Sequence, residues 1–134
     1  MKPENWMFEN YHEFAEKIAP VLRAALTGRR EIPSQKPFSE AWLGMALFCN
    51  ERIVPLEEVI GTADGINHGI PNPNEVAWAF LRLRKRGWLA VQGDSDGLTS
   101  EGRRAMASVV GEGGVLRQAE RLKEWVSAHQ PPSE

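Results

Sequence analysis

The sequence predicts a mainly α-helical chain carrying one small β-hairpin, an α+β fold. Three observations carry this. Apolar residues recur at helical spacing in segment after segment. One short alternating stretch, residues 88–92, is followed by a run of turn formers, residues 93–97, and then by Leu98 and Thr99. Between Asn72 and Gly102, helix, strand, acidic turn, strand and helix follow without a break.

The first helix is expected over residues 5–26. Met7, Tyr11, Phe14, Ile18, Leu22 and Ala25 recur at helical spacing, with Glu9, Glu13, Glu16 and Lys17 between them. Pro20 lies inside the pattern. It has no N–H and clashes one turn back, which predicts a kink or a division of the helix. An amphipathic helix is marginal alone, so this face must bury against something. Residues 28–37 form a connector rich in charge, glycine and proline, with no periodicity.

Ser39 is a candidate N-cap for the second helix, with Phe38 and Leu43 placed as a hydrophobic staple. Trp42, Leu43, Ala46 and Leu47 carry that helix to about Glu51. Residues 52–54 suffice for one strand-like rung. Pro55 opens a third helix through Leu56, Val59 and Ile60, ending near Gly65. Residues 64–72 form a loop anchored by Ile66 and Ile70.

Asn72 caps the next helix, with Pro73 at the first position and Glu75 at the third. It runs to Arg86 and ends at Gly87. After the hairpin, Thr99 or Ser100 caps a helix to Val110, which Gly111, Gly113 and Gly114 break. The last helix, residues 115–129, places Leu116, Ala119, Leu122, Trp125 and Val126 on one side. Residues 131–134 are expected to be disordered.

The chain's 134 residues are enough for one domain with a real core. The net charge is −2, mild evidence against a dedicated nucleic-acid binder, although a local patch can carry such a contact. The single cysteine, Cys49, excludes an intramolecular disulfide and is expected to be buried. Acids and a histidine stand where a signal peptide would be apolar, and no apolar run reaches membrane-spanning length, so a cytoplasmic location is expected.

The order helix, rung, helix, loop, helix, hairpin over residues 38–110 resembles a winged-helix domain. The stretch EVAWAFLRLRKRGWL is similar to the third helix of that family, in a register set by Val76, Phe80, Leu83, Gly87 and Trp88. LTSEGRRA is similar to the segment after the wing in many small bacterial regulators of this fold, and INHGIP resembles a loop in small bacterial proteins of this type. The resemblance implies a helical extension and linker at residues 1–37, the winged helix at 38–110 and an added helix at 111–130. It also implies a DNA-binding transcriptional regulator or a protein-contact module, since the fold serves both. Added helices often pair two copies in this family. A homodimer through Leu122 and Trp125, or through Phe14, Ile18 and Leu22, is therefore expected, with completion of the chain's own core as the alternative.

The residues depart from a DNA reader in two places. Stepping about 100° per residue puts Val76, Ala79, Phe80 and Leu83 on the core side of the third winged-helix segment. Trp78, Leu81, Arg82 and Lys85 fall opposite, where base edges are ordinarily met by polar side chains. An outward tryptophan needs a cover: a partner protein or second copy, the N-terminal helix, or nucleic acid. The turn of the hairpin presents Asp94 and Asp96 and no cation, whereas DNA-contacting wings offer Arg or Lys.

Two functions follow. In the first, a DNA-binding regulator, Arg82 and Lys85 face the groove and Asn74, Arg84 and Arg86 lie near phosphates. The basic run also suits the negative end of a helix dipole. In the second, Trp78 and Leu81 anchor a protein partner. No catalytic site, metal site or cofactor is expected. His12, His68 and His129 are far apart in sequence, and His68 reads as a loop anchor. Glu57–Glu58 and Asp94/Asp96 are not placed as an acid–base pair.

Overall fold

From Ser39 to Leu47 every residue is buried, which makes the second helix the hub that the other elements surround. The computed structural model describes residues 4–132, with side chains from Tyr11 onward. Its elements are α1 (Glu4–Leu26), α2 (Pro37–Phe48), β1 (Val54–Pro55), α3 (Leu56–Asn67), α4 (Pro73–Arg86), β2 (Leu89–Gln92), β3 (Ser95–Leu98), α5 (Ser100–Val110) and α6 (Val115–Ala128). The strands form one antiparallel sheet in the order β1-β3-β2. The protein is therefore mainly helical with a small sheet, an α+β fold.

Helices α3, α4 and α6 pack on α2, while α1 packs across α3 and α4 from outside. The core holds Leu43, Met45 and Leu47 of α2, Val59 and Ile60 of α3, Val76, Phe80 and Leu83 of α4, and Leu122 and Val126 of α6. Helix α1 adds Ala15, Ile18, Leu22 and Ala25.

Local chemistry sets most helix ends. Asn72 and Glu75 form a capping box on α4: the Asn72 side chain accepts from the Glu75 N–H at 2.8 Å, and Glu75 accepts from the Asn72 N–H at 3.0 Å. Gly87, at φ 83°, ends the helix; its N–H donates to Arg84 and the Trp88 N–H to Leu83. Thr99 caps α5 by accepting from the Gly102 N–H at 2.9 Å.

Several expectations are corrected. Helix α2 starts at Pro37, with Lys36 as its N-cap. Ser39 lies inside the helix and is buried, its hydroxyl donating to Glu75 at 3.2 Å, and Phe38 stacks on Trp42. Of the two outcomes expected at Pro20, division does not occur: α1 is continuous there, Pro20 is exposed, and the carbonyl left without its helical donor belongs to exposed Glu16. Phe14 is 37% exposed and Ala15 takes its place on the buried face; the Met7 side chain lies outside the described residues. Cys49 is exposed at the end of α2. Helix α3 extends to Asn67 and stops where His68 turns left-handed at φ 52°; the exposed His68 contributes its backbone N–H, which donates to Asp64, and no side-chain anchor. The hairpin turn is only Gly93–Asp94. Gly93 has φ 58° and Asp94 does not share a positive φ, as in a type II′ turn. Asp96 therefore belongs to β3. Pro131 and Pro132 have no regular structure, and residues 133–134 lie outside the described set.

The N-terminal half of α1 is fixed on α3 by Tyr11. Its hydroxyl donates to Asp64 Oδ2 at 2.8 Å, and its ring lies against Gly61, where an added Cβ would sit 3.1 Å from the ring. The hydrogen bond to Asp64, with burial assisting, raises the Tyr11 pKa above its ordinary 10.0. A raised pKa means that this stabilisation is complete below pH 10.0 and is lost as pH climbs through the folded value. Tyr11 is the single tyrosine of the chain, so tyrosinate absorbance reads it directly. The expected midpoint in the native protein lies above 10.0, and Asp64→Asn should bring it back toward that value. A native midpoint already at the ordinary value would mean that α1 is not docked on α3 in this way.

Candidate interaction surface

The α4 side chains divide into a buried side, two engaged flanks and a narrow free stripe. The buried side is Val76, Ala79, Phe80 and Leu83, as the periodicity indicates. Ala77 is fully buried, on the flank turned toward α1. On that flank Leu81 is half-buried against the core and the Arg84 guanidinium donates to the Leu26 carbonyl at the end of α1.

The other flank is organised by Glu40, a residue that sequence reasoning passed over. It projects from α2 and is 1% exposed. Arg82 Nε and Arg86 Nε each donate to one of its carboxylate oxygens at 2.6 Å. Spacing of four residues places both arginines on one face of α4, so a single carboxylate can take both. Arg82 also donates to Gln130 at 2.8 Å and lies over the Trp78 ring at 4.8 Å. Arg86 donates to the His129 carbonyl at 2.7 Å and lies over Trp88 at 5.5 Å and Trp125 at 5.2 Å. Its side chain is 4% exposed. Trp88 stacks on Trp125, and Trp125 on His129. This arrangement of cations and rings fastens the end of α6 to α4.

Of the residues expected near phosphates, then, Arg82, Arg84 and Arg86 are engaged within the molecule. Lys85 is exposed and has no ion pair or hydrogen bond among the described residues. Asn74 is half-buried in a shallow depression with Val21, Arg30, Gln35, Asn72 and Pro73. Of the residues expected at a protein interface, Trp78 is half-buried and lies outside the core cluster, whereas Leu81 is packed against it. Leu122 is 1% exposed and Trp125 is half-buried in the ring stack. Leu122, like Ile18 and Leu22, is buried in the core of its own chain, and Trp125 packs against that core. The free stripe of α4 consists of Asn74, Trp78 and Lys85, bordered by Leu81 and Arg82.

The hairpin also differs from its expected form. Asp96 is fully buried, and both its oxygens accept from Arg23 of α1 at 2.7 Å; Arg23 further donates to the Asp94 carbonyl at 3.0 Å. Burial pushes the Asp96 carboxyl above its ordinary pKa and the Arg23 guanidinium opposes that shift. Only Asp94 presents a carboxylate to solvent at this turn. Helix α1 therefore contacts α3, α4 and the hairpin together. Arg23 and Asp96 are 73 positions apart and share no local pattern, so the sequence gives no signal for the pair.

Among the described residues no group of three or more His, Cys, Asp or Glu side chains is placed to hold a metal ion, and no helix is long and apolar enough to cross a membrane. No family model, curated protein or solved structure matches this chain.

Proposed function

We propose that this chain is a winged-helix-type domain acting as a protein-interaction module, with the Trp78 stripe of α4 as its contact surface. The observation that carries this is α1 lying along α4 while Arg82, Arg84 and Arg86 are all engaged within the chain. A major groove about 12 Å wide admits one helix, and α4 enters it only if α1 departs. The exposed Asp94 on the hairpin adds repulsion toward a phosphate backbone.

The stripe suits a protein partner. Tryptophan and arginine are the side chains that most often dominate binding energy at interfaces, and here Arg82 already holds the Trp78 ring. Lys85 supplies a free cation two turns on. The fitting partner segment is an apolar side chain beside a carboxylate. The element order and the exposed Lys85 support a second reading, the DNA-binding regulator.

Fluorescence anisotropy with mixed-sequence duplex DNA at low and at physiological salt separates the two readings. The interaction module predicts no binding at low salt, where non-specific affinity is strongest. It also predicts that a photo-crosslinker at position 78 captures one discrete protein in cells, and that Trp78→Ala loses the complex while the chain stays folded, with a small fall in melting temperature from the lost Arg82 contact. Duplex binding that falls steeply with salt and weakens in Lys85→Ala would replace this reading with the regulator.

A further inference from the structure

We infer that the outer edge of β2 pairs with β2 of a second copy, joining the two small sheets into one antiparallel sheet across a two-fold axis. In the order β1-β3-β2, strand β3 is central and both other strands are edges. The β1 edge is two residues long and ends at Pro55, which has no N–H to offer. The β2 edge carries no such device. Its residues are Leu89, Ala90, Val91 and Gln92, with no charge, no proline and no bulge in the ladder.

The register shows which groups point outward. The Thr99 N–H donates to the Trp88 carbonyl at 2.8 Å, so residues 88 and 99 form a hydrogen-bonded pair. Such pairs alternate along an antiparallel ladder. Ala90↔Gly97 and Gln92↔Ser95 are therefore hydrogen-bonded, and Leu89↔Leu98 and Val91↔Asp96 are not. The backbone N–H and C=O groups of Leu89 and Val91 thus face away from β3, and none of them has a hydrogen-bond partner among the described residues.

This pattern is self-complementary. With two β2 strands antiparallel and Ala90 opposite Ala90 of the second copy, Leu89 of each chain meets Val91 of the other as a hydrogen-bonded pair. All the outward groups of the two residues are then satisfied. The central position is a non-hydrogen-bonded pair, the closer of the two kinds, and it is filled by the small alanine. Val91, 44% exposed in the single chain, comes to lie beside Leu89 of the other copy on one face of the joined sheet. Antiparallel pairing also brings the turn with exposed Asp94 to the start of the other β2, where the last turn of α4 carries the exposed Lys85. A contact between two four-residue strands is small, so the dimer is weak and its population depends on concentration.

Sedimentation velocity over rising protein concentration, with amide exchange followed by NMR, tests this. The mean mass is expected to climb from 15.0 kDa toward twice that value. The Leu89 and Val91 amides should gain protection over the same range, while those of Ala90 and Gln92 stay protected throughout. Val91→Pro removes an outward donor and no ladder hydrogen bond, and Val91→Lys places a charge at the seam. Both variants should remain monomeric at every concentration with a near-unchanged melting temperature. A mass constant at 15.0 kDa, or a dimer that persists in Val91→Pro, would overturn the inference. So would a dimer lost in Trp78→Ala and kept in Val91→Pro, since that result puts the second copy on α4.

Discussion

Glu40→Ala is expected to destabilise the protein by about 4 kcal/mol, the cost of breaking a buried ion pair from one side. The melting temperature should fall by roughly 15 °C for a chain of this size. The loss is unequal between the two arginines. Arg82 is 19% exposed, keeps Gln130 and Trp78, and can turn toward water. Arg86 is 4% exposed and would keep only the His129 carbonyl and the faces of two tryptophans. A buried guanidinium without a counter-charge is the main source of the penalty. Two double-mutant cycles make this measurable in denaturant unfolding. The Glu40–Arg86 coupling should exceed the Glu40–Arg82 coupling by about 1 kcal/mol or more. Glu40→Leu combined with Arg86→Met should recover much of the loss, because apolar replacement of a buried pair is often neutral. A fall below about 1 kcal/mol in Glu40→Ala would mean that the pair is solvated and that both arginines are available to a ligand.

That result bears on how arginine variants of α4 are read. Arg82→Ala or Arg86→Ala changes the attachment of α6 to α4, so any loss of binding in those variants mixes contact with stability. Lys85→Ala has no such second effect, which is why it is the variant assigned to the DNA measurement.

The parts of the fold legible in the sequence are those set by neighbours in the chain. Asn72 with Pro73 and Glu75, Gly87 after a basic last turn, and Thr99 ahead of α5 act through backbone groups within a few residues of themselves. The core side of α4 was legible for a similar reason, since one helix period fixes which residues share a face. What the sequence withheld depends on contacts across long separations. Arg82 was expected to face a groove because the helical wheel knows nothing of Glu40, which lies 42 positions away. Asp96 was assigned to a turn because Asp and Gly are good turn formers; a single arginine on α1 instead holds it in a buried strand. Glu40 did leave a trace. It is the one charged residue in a helix that is apolar on every side apart from Ser39, and such a residue needs a counter-charge from a neighbouring helix. Cys49 misled in the opposite direction: the helix ends at Phe48 and leaves the thiol outside.

Leu22→Ala should lower stability by about 3 kcal/mol, within the range for deleting a buried leucine side chain. It should do so in one cooperative transition seen equally by helix ellipticity and by tryptophan fluorescence. Leu22 is fully buried, with Ile18 at 2% and Ala25 at 3% exposure along the same face of α1. Lifting α1 from α3 and α4 would return Ile18 and Leu22 to water at a cost of about 4 kcal/mol from these two alone. The uncovered form is then populated at about one molecule in a thousand or fewer, since 1.4 kcal/mol is a tenfold change. A ligand that needs bare α4 would lose affinity by that same factor. Separate transitions for α1 and the remainder, or a loss under about 1 kcal/mol, would show that α1 is detachable and would return α4 to service as a groove-reading helix. One transition with the full loss makes α1 part of the folded unit and leaves the Trp78 stripe as the surface that α4 offers to other molecules.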